Sequence, residues 1–171
     1  MDNIMLNLGS GQRPFKPPFL NWDIQEDKFR QATLDAGCLW LNEELTDGSC
    51  AMIVLHHCLE HFGCGEADGL VSDCFRWLKP DGSLLIFVPD MRALAQRWLT
   101  HQMDTQLYMT NVYGAYLGDV HDRHFWGYDF DSLHGYLRKW NWAVVTGYKS
   151  RHIPGADIAQ DFWILGMECV K

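Results

Sequence analysis

Gly9-Ser10-Gly11 follows at once on the apolar run Ile4-Met5-Leu6-Asn7-Leu8. Two glycines around a small polar residue let the main chain turn sharply, and they let a ligand meet the backbone with no Cβ in the way. Asp23 stands near the end of a second run, Phe19-Leu20-Asn21-Trp22-Asp23-Ile24, and puts a carboxylate where a strand stops. His56 and His57 come directly after Leu55, and His121 and His124 lie in His121-Asp122-Arg123-His124-Phe125-Trp126. Imidazoles change charge near neutral pH, so His57, His121 and His124 are candidates for taking a proton from a hydroxyl or amine. His57-Cys58-Leu59-Glu60-His61 also spells H-x-x-E-H, the inverted zinc signature. On one helix face the two histidines would bind zinc, with Glu60 as base. Here a buried strand ends at Leu55 and Gly63 and Gly65 follow closely, which leaves about one helical turn. The match is therefore read as accidental, and no metal site is expected.

The elements that must position these residues follow from hydrophobic period. Ile4–Leu8 reads as a buried strand stopped by the glycine turn, and Phe19–Ile24 as a second, entered from Pro17-Pro18. A third segment is placed over about 31–41, around Leu34-Asp35. After Thr46-Asp47-Gly48-Ser49, the run Ala51-Met52-Ile53-Val54-Leu55 is a further buried strand. Leu70, Val71, Cys74, Trp77 and Leu78 recur at threes and fours and predict a helix over 66–79, ended by Lys79-Pro80-Asp81-Gly82. Leu84–Val88 is a strand, Met91 to Leu99 a helix, and a weaker helix runs over about 104–117. Asp131 is expected to cap a last helix carrying Leu133, Tyr136, Leu137 and Trp140, before closing strands over about 142–149 and 161–170. Strands alternating with helices imply an α/β fold with a mainly parallel sheet.

A length of 171 residues fits one domain, 1–171, at roughly 100–200 residues per domain. Hydrophobic residues at 47% and charged residues at 21% exclude disorder and fibrous structure. A net charge of −8 disfavours a phosphate-gripping surface, so neither nucleic acid nor an anionic membrane is expected as partner. No apolar run reaches the roughly 20 residues of a membrane span, and Met1 to Met5 lacks the features of a signal peptide, so a cytoplasmic location is expected. The six cysteines form no Cys-x-x-Cys and read as reduced, mostly buried thiols. The aromatic set Trp98, Tyr108, Tyr113, Tyr116, Trp126 and Tyr128 could line a ligand pocket, and core packing or a homodimer contact explains it equally well.

Taken in order, Leu6-Asn7-Leu8-Gly9-Ser10-Gly11, Asn21-Trp22-Asp23-Ile24, Leu55-His56-His57-Cys58-Leu59-Glu60-His61 and Leu78-Lys79-Pro80-Asp81-Gly82-Ser83-Leu84-Leu85-Ile86 resemble class I S-adenosylmethionine-dependent methyltransferases. The small type 11 group is the nearest match, with L-D-L-G-C-G, V-D, x-L-E-H and L-K-P-G-G-x-L in that order. Each piece alone is weak, but the ordered set is fairly specific. Phe130-Asp131-Ser132-Leu133 resembles the later segment that opens the family's last helix. The resemblance implies a Rossmann-like class I methyltransferase fold: seven strands, mostly parallel, the last one antiparallel, with helices on both faces.

It also implies S-adenosylmethionine as cofactor, S-adenosylhomocysteine as product, and a site across the carboxyl ends of the first strands. By that resemblance Asn7, Gly9, Ser10 and Gly11 would hold the methionine part. Asp23 would take the ribose hydroxyls, and Asp35 would stand near the adenine amino group. Leu55, His56 and His57 would border the sulfonium and the substrate, a small-molecule or sugar-like acceptor. There are departures: Asn7 stands where the family usually has an acid, and Ala51 where a second Asp is usual. The stretch from Gly11 to Phe19 is also shorter than the roughly dozen residues a helical crossover takes, so the first crossover helix is expected to be reduced or missing. A nicotinamide dehydrogenase is set aside because Pro14 stands where a third glycine would be needed. The competing reading is a non-catalytic Rossmann-like module that works through protein contacts.

Overall fold

The computed structural model describes residues 3–115, 119–158 and 161–171. Seven strands form one sheet: β1 Ile4–Leu8, β2 Phe19–Trp22, β3 Leu39–Trp40, β4 Cys50–His56, β5 Leu78–Pro89, β6 Val144–Gly147 and β7 Ile164–Val170. Their spatial order is β3-β2-β1-β4-β5-β7-β6, with β1 to β5 parallel and β7 antiparallel to both β5 and β6. Five helices accompany it: α1 Glu26–Asp35, α2 Cys64–Trp77, α3 Met91–Leu99, α4 Thr105–Tyr113 and α5 Phe130–Leu137.

The alternation of side chains along a strand divides the core in two. Leu6, Leu8, Ile53, Leu55, Leu84, Ile86 and Val88 point to one face and pack on Ala67, Val71 and Cys74 of α2 and on Leu133 and Leu137 of α5. Met5, Val54, Leu85 and Phe87 point to the other, where Phe15 and Ile153 cover them. Both covering residues lie in connections rather than helices, between β1 and β2 and between β6 and β7. Among the described residues no helix links β1 to β2, as the short spacing requires. The Lys16 N–H donates to the Gly155 carbonyl at 2.8 Å and joins the two connections.

The third segment of the sequence resolves into helix α1 and a two-residue strand β3. α1 buries only Phe29 and Thr33, too sparse a stripe to reveal a helix from period alone. One expectation is corrected at α5. Its cap is Asp129, whose side chain accepts from Ser132 N–H at 2.9 Å while Ser132 returns a bond to the Asp129 N–H; Asp131 lies in the first turn. The reciprocal pair forms a capping box two residues upstream of the residue chosen from sequence. All six cysteines are free thiols, with Cys64 alone exposed.

Candidate active site

In a parallel sheet the strand ends share one edge, and here the strand order reverses between β1 and β4, the place where open α/β sheets hold ligands. The glycine turn leaves β1 at that point. Gly9 and Ser10 both donate their N–H groups to the Trp22 carbonyl, at 2.9 and 3.1 Å, and Gly11 donates to Asp23 Oδ2 at 2.9 Å. Asp23 is buried and its Oδ1 takes the Gln25 N–H at 2.9 Å. The carboxylate thus faces the glycine turn, and each oxygen keeps a lone pair. Gly9 has φ 71° and any Cβ there would collide with Cys58, whereas a Cβ on Gly11, φ 48°, would meet nothing within 4 Å. So Gly9 serves packing and Gly11 opens outward. The Ser10 hydroxyl, buried at 5% exposure, has no hydrogen-bond partner among the described residues.

Asn7 is buried beneath the turn, where its Nδ2 donates to Asn21 Oδ1 at 2.8 Å and to the Arg13 carbonyl at 3.3 Å. Asn21 in turn accepts from Phe15 N–H and donates to the carbonyls of Phe15 and Leu39. This pair holds the helix-free crossover against the sheet. Asp35 lies elsewhere. It ends α1, which runs back from the carboxyl end of β2 to the start of β3, so Asp35 sits at the opposite edge of the sheet, exposed and bonded to Gln31. Residues that follow the carboxyl end of β3 are Leu41 and Asn42, and a groove of about 610 Å3 running beside the crevice is lined there by Leu41, Asn42, Trp22 and Leu8. The groove exists because the β3–β4 connection contains no helix to cover that part of the sheet.

β4 delivers the histidines. His56 is buried, its ring 6.3 Å from Phe15 and 5.8 Å from Phe87. His57 has φ 53°, an uncommon conformation for a residue with a side chain, and its N–H is held by the Phe87 carbonyl at 2.9 Å. Its Nδ1 lies 3.0 Å from Glu60 Oε1. Leu59–His61 forms a 3-10 turn that begins after His57, so His57 and His61 do not share a helix face and the H-x-x-E-H geometry does not form. Glu60 is 1% exposed. Burial alone would raise its carboxyl pKa, but the His57 hydrogen bond and the imidazoles of His57, His61 and His124 hold it below the ordinary value.

The insertion between β5 and α5 folds onto this turn. The Glu60 carbonyl accepts from Phe125 N–H and Trp126 N–H, and the His124 ring stands 4.8 Å from that of His61. His121 is exposed in a short 3-10 turn, Val120–Asp122. The aromatic set does not converge: Trp98 stacks on Tyr108, Tyr128 packs in the core against Tyr136, Tyr113 and Trp126 are exposed, and Tyr116 lies outside the described residues. In the sequence Glu60 has a role only within the zinc signature that the short turn rules out. Its only signal was an acid three positions after a histidine, which acquires meaning once both side chains are seen to turn inward.

A mostly parallel seven-stranded sheet with an antiparallel last strand is the architecture the resemblance implies, and solved structures bear out the likeness. An Archaeoglobus fulgidus S-adenosylmethionine-dependent methyltransferase superposes with TM-score 0.64 at 13% identity, covering 99% of this chain and 86% of that one. This chain has the class I methyltransferase fold. The Burkholderia thailandensis 1,6-didemethyltoxoflavin-N1-methyltransferase, solved with its substrate and S-adenosylhomocysteine, matches with TM-score 0.58 at 15% identity over 99% of this chain and 71% of its own. A provisionally assigned type 11 methyltransferase from Sulfolobus solfataricus gives 0.55 at 13% identity over 98% and 83%. No family model matches the sequence, and no curated protein matches it. In this chain the first crossover is a helix-free segment. No helix of the described residues is long and apolar enough to cross a membrane.

Proposed function

We propose that this chain is an S-adenosylmethionine-dependent methyltransferase acting on a small-molecule or sugar-like acceptor. The observation that carries the proposal is the link from Gly11 N–H to Asp23, with the unpartnered Ser10 hydroxyl beside it, at the switch point of the sheet. An orphaned buried hydroxyl, an outward-opening glycine and a carboxylate with spare lone pairs suit a ligand that carries an ammonium, a carboxylate and a ribose. Ser10 and Gly11 would hold its amino-acid end, Asp23 its ribose, and Trp22, Leu41 and Asn42 would border its base. When bound, S-adenosylmethionine supplies a methyl group attached to a sulfonium.

His57 does the protein's part of the chemistry. The ionised Glu60 carboxylate only accepts, so Nδ1 of His57 carries the proton and Nε2 keeps a lone pair for the proton of an acceptor hydroxyl or amine. Glu60 also stabilises the imidazolium that forms. His56 packs behind this residue, and Asn7 shapes the turn from below.

Calorimetric titration with S-adenosylmethionine and S-adenosylhomocysteine tests the reading. We expect one site per chain, and Asp23→Asn to weaken both ligands by about 10–100-fold, the worth of a hydrogen bond to a charged group. No heat with either ligand overturns it. The crossover without a helix and the Cys58 side chain filling the space under Gly9 favour a second reading, a non-catalytic module that works through protein contacts. That reading predicts the absence of heat.

A further inference from the structure

We propose that Glu60, His61 and His124 bind a divalent metal ion of the zinc class, joining the turn after β4 to the insertion between β5 and α5. The three residues come from two distant stretches of chain, yet each offers a ligand-capable atom within 4.8 Å of the others. Their hydrogen bonds decide which atoms remain available. His61 Nδ1 lies 3.1 Å from the Arg123 carbonyl, and His124 Nδ1 lies 2.9 Å from the Asn111 carbonyl. A carbonyl only accepts, so both Nδ1 atoms carry the proton and both Nε2 atoms carry a lone pair. Metal-binding histidines are oriented in this way, with the second ring nitrogen donating to a backbone carbonyl or carboxylate.

Glu60 is arranged likewise. His57 occupies Oε1, and Oε2 is buried with no partner among the described residues. A buried carboxylate oxygen left unpaired is costly, and a cation among these atoms removes the cost. Two imidazoles and one carboxylate make a donor set that favours zinc over magnesium or calcium and leave a fourth position for water or another ligand. Two members of the H-x-x-E-H stretch thus reappear with a different partner: His124 takes the place of His57, and His57 supports Glu60 from behind. Nothing in this proposal depends on methyl transfer.

The test uses the whole chain, stripped with a chelator, dialysed, and titrated with zinc chloride by calorimetry and with cobalt chloride by visible absorption. The expected result is one metal per chain, with cobalt bands of a nitrogen and oxygen site and no thiolate charge-transfer band. His61→Ala and His124→Ala should each weaken binding by more than about 100-fold, and His57→Ala by about 10-fold, as for loss of an outer hydrogen bond. Cys64→Ser, which removes the exposed thiol, should leave binding unchanged. Absence of binding overturns the proposal, and so does a thiolate band or affinity that survives in both His61→Ala and His124→Ala. Circular dichroism of each variant verifies the fold, and His124→Gln serves if His124→Ala unfolds.

Discussion

At the tip of β4 the backbone of His57 is held at φ 53° while its ring reaches a carboxylate that is almost fully buried. A left-handed non-glycine residue and a buried charge each cost stability, and such costs gather where a protein does chemistry. His57→Ala is expected to lower turnover by about 10²–10⁴-fold, the usual worth of a general base, with S-adenosylhomocysteine affinity unchanged. Release of S-adenosylhomocysteine with an accepted substrate measures the first quantity and calorimetry the second. The two glycines should separate as well. Gly9→Ala adds a collision with Cys58 to an unfavourable φ and should destabilise by about 2–3 kcal/mol, whereas Gly11→Ala carries only the conformational penalty of about 1 kcal/mol. Urea unfolding of both variants gives the comparison. Gly9, Gly11 and Asp23 were legible in the sequence because a turn after a buried strand is a local property. The resemblance puts Asp35 near the adenine; helix α1 carries it to the edge of the sheet opposite the glycine turn, and no local pattern shows which way that helix runs.

Among the elements, the helix-free crossover from β1 to β2 depends on side chains for what a helix would satisfy internally. Asn21 alone engages Asn7, both backbone polar groups of Phe15 and the carbonyl of Leu39. Asn21→Ala would leave several of these buried and unpaired, so a loss of about 2–4 kcal/mol is expected in denaturant unfolding, with weaker cofactor binding as the turn loosens. At α5 the cap sets a pH dependence. Hydrogen bonds from the Ser132 side chain and backbone and from Arg92 hold the Asp129 carboxyl below its ordinary pKa. A carboxyl depressed on folding stabilises fully above its unfolded pKa of about 3.9 and loses that contribution as pH falls towards the folded value. The thermal midpoint of the wild type should therefore fall more steeply below pH 4 than that of Asp129→Asn. The sequence showed α5 but put its cap at Asp131, two residues late, since only the fold brings the Ser132 hydroxyl to the Asp129 N–H.

Across the whole molecule, one sheet couples the site to both halves of the core. Leu133 of α5 is fully buried in the larger half of the core, where α5 lies against β6 and β7. Leu133→Ala should cost about 2–5 kcal/mol and, if the chain unfolds as one unit, lower the melting of all probes together. Fluorescence and far-ultraviolet circular dichroism should then trace coincident transitions. What the sequence determined by itself was the order of β1, β2, β4, α2 and β5, the glycine turn, and the class of fold, because hydrophobic period and turn chemistry act over a few residues. What only tertiary structure decided was which polar groups meet. His61 reaches the carbonyl of Arg123 across 62 positions, and Asn7 finds Asn21 on the neighbouring strand. Such contacts depend on register, crossover and burial acting together, and no local pattern of residues encodes them.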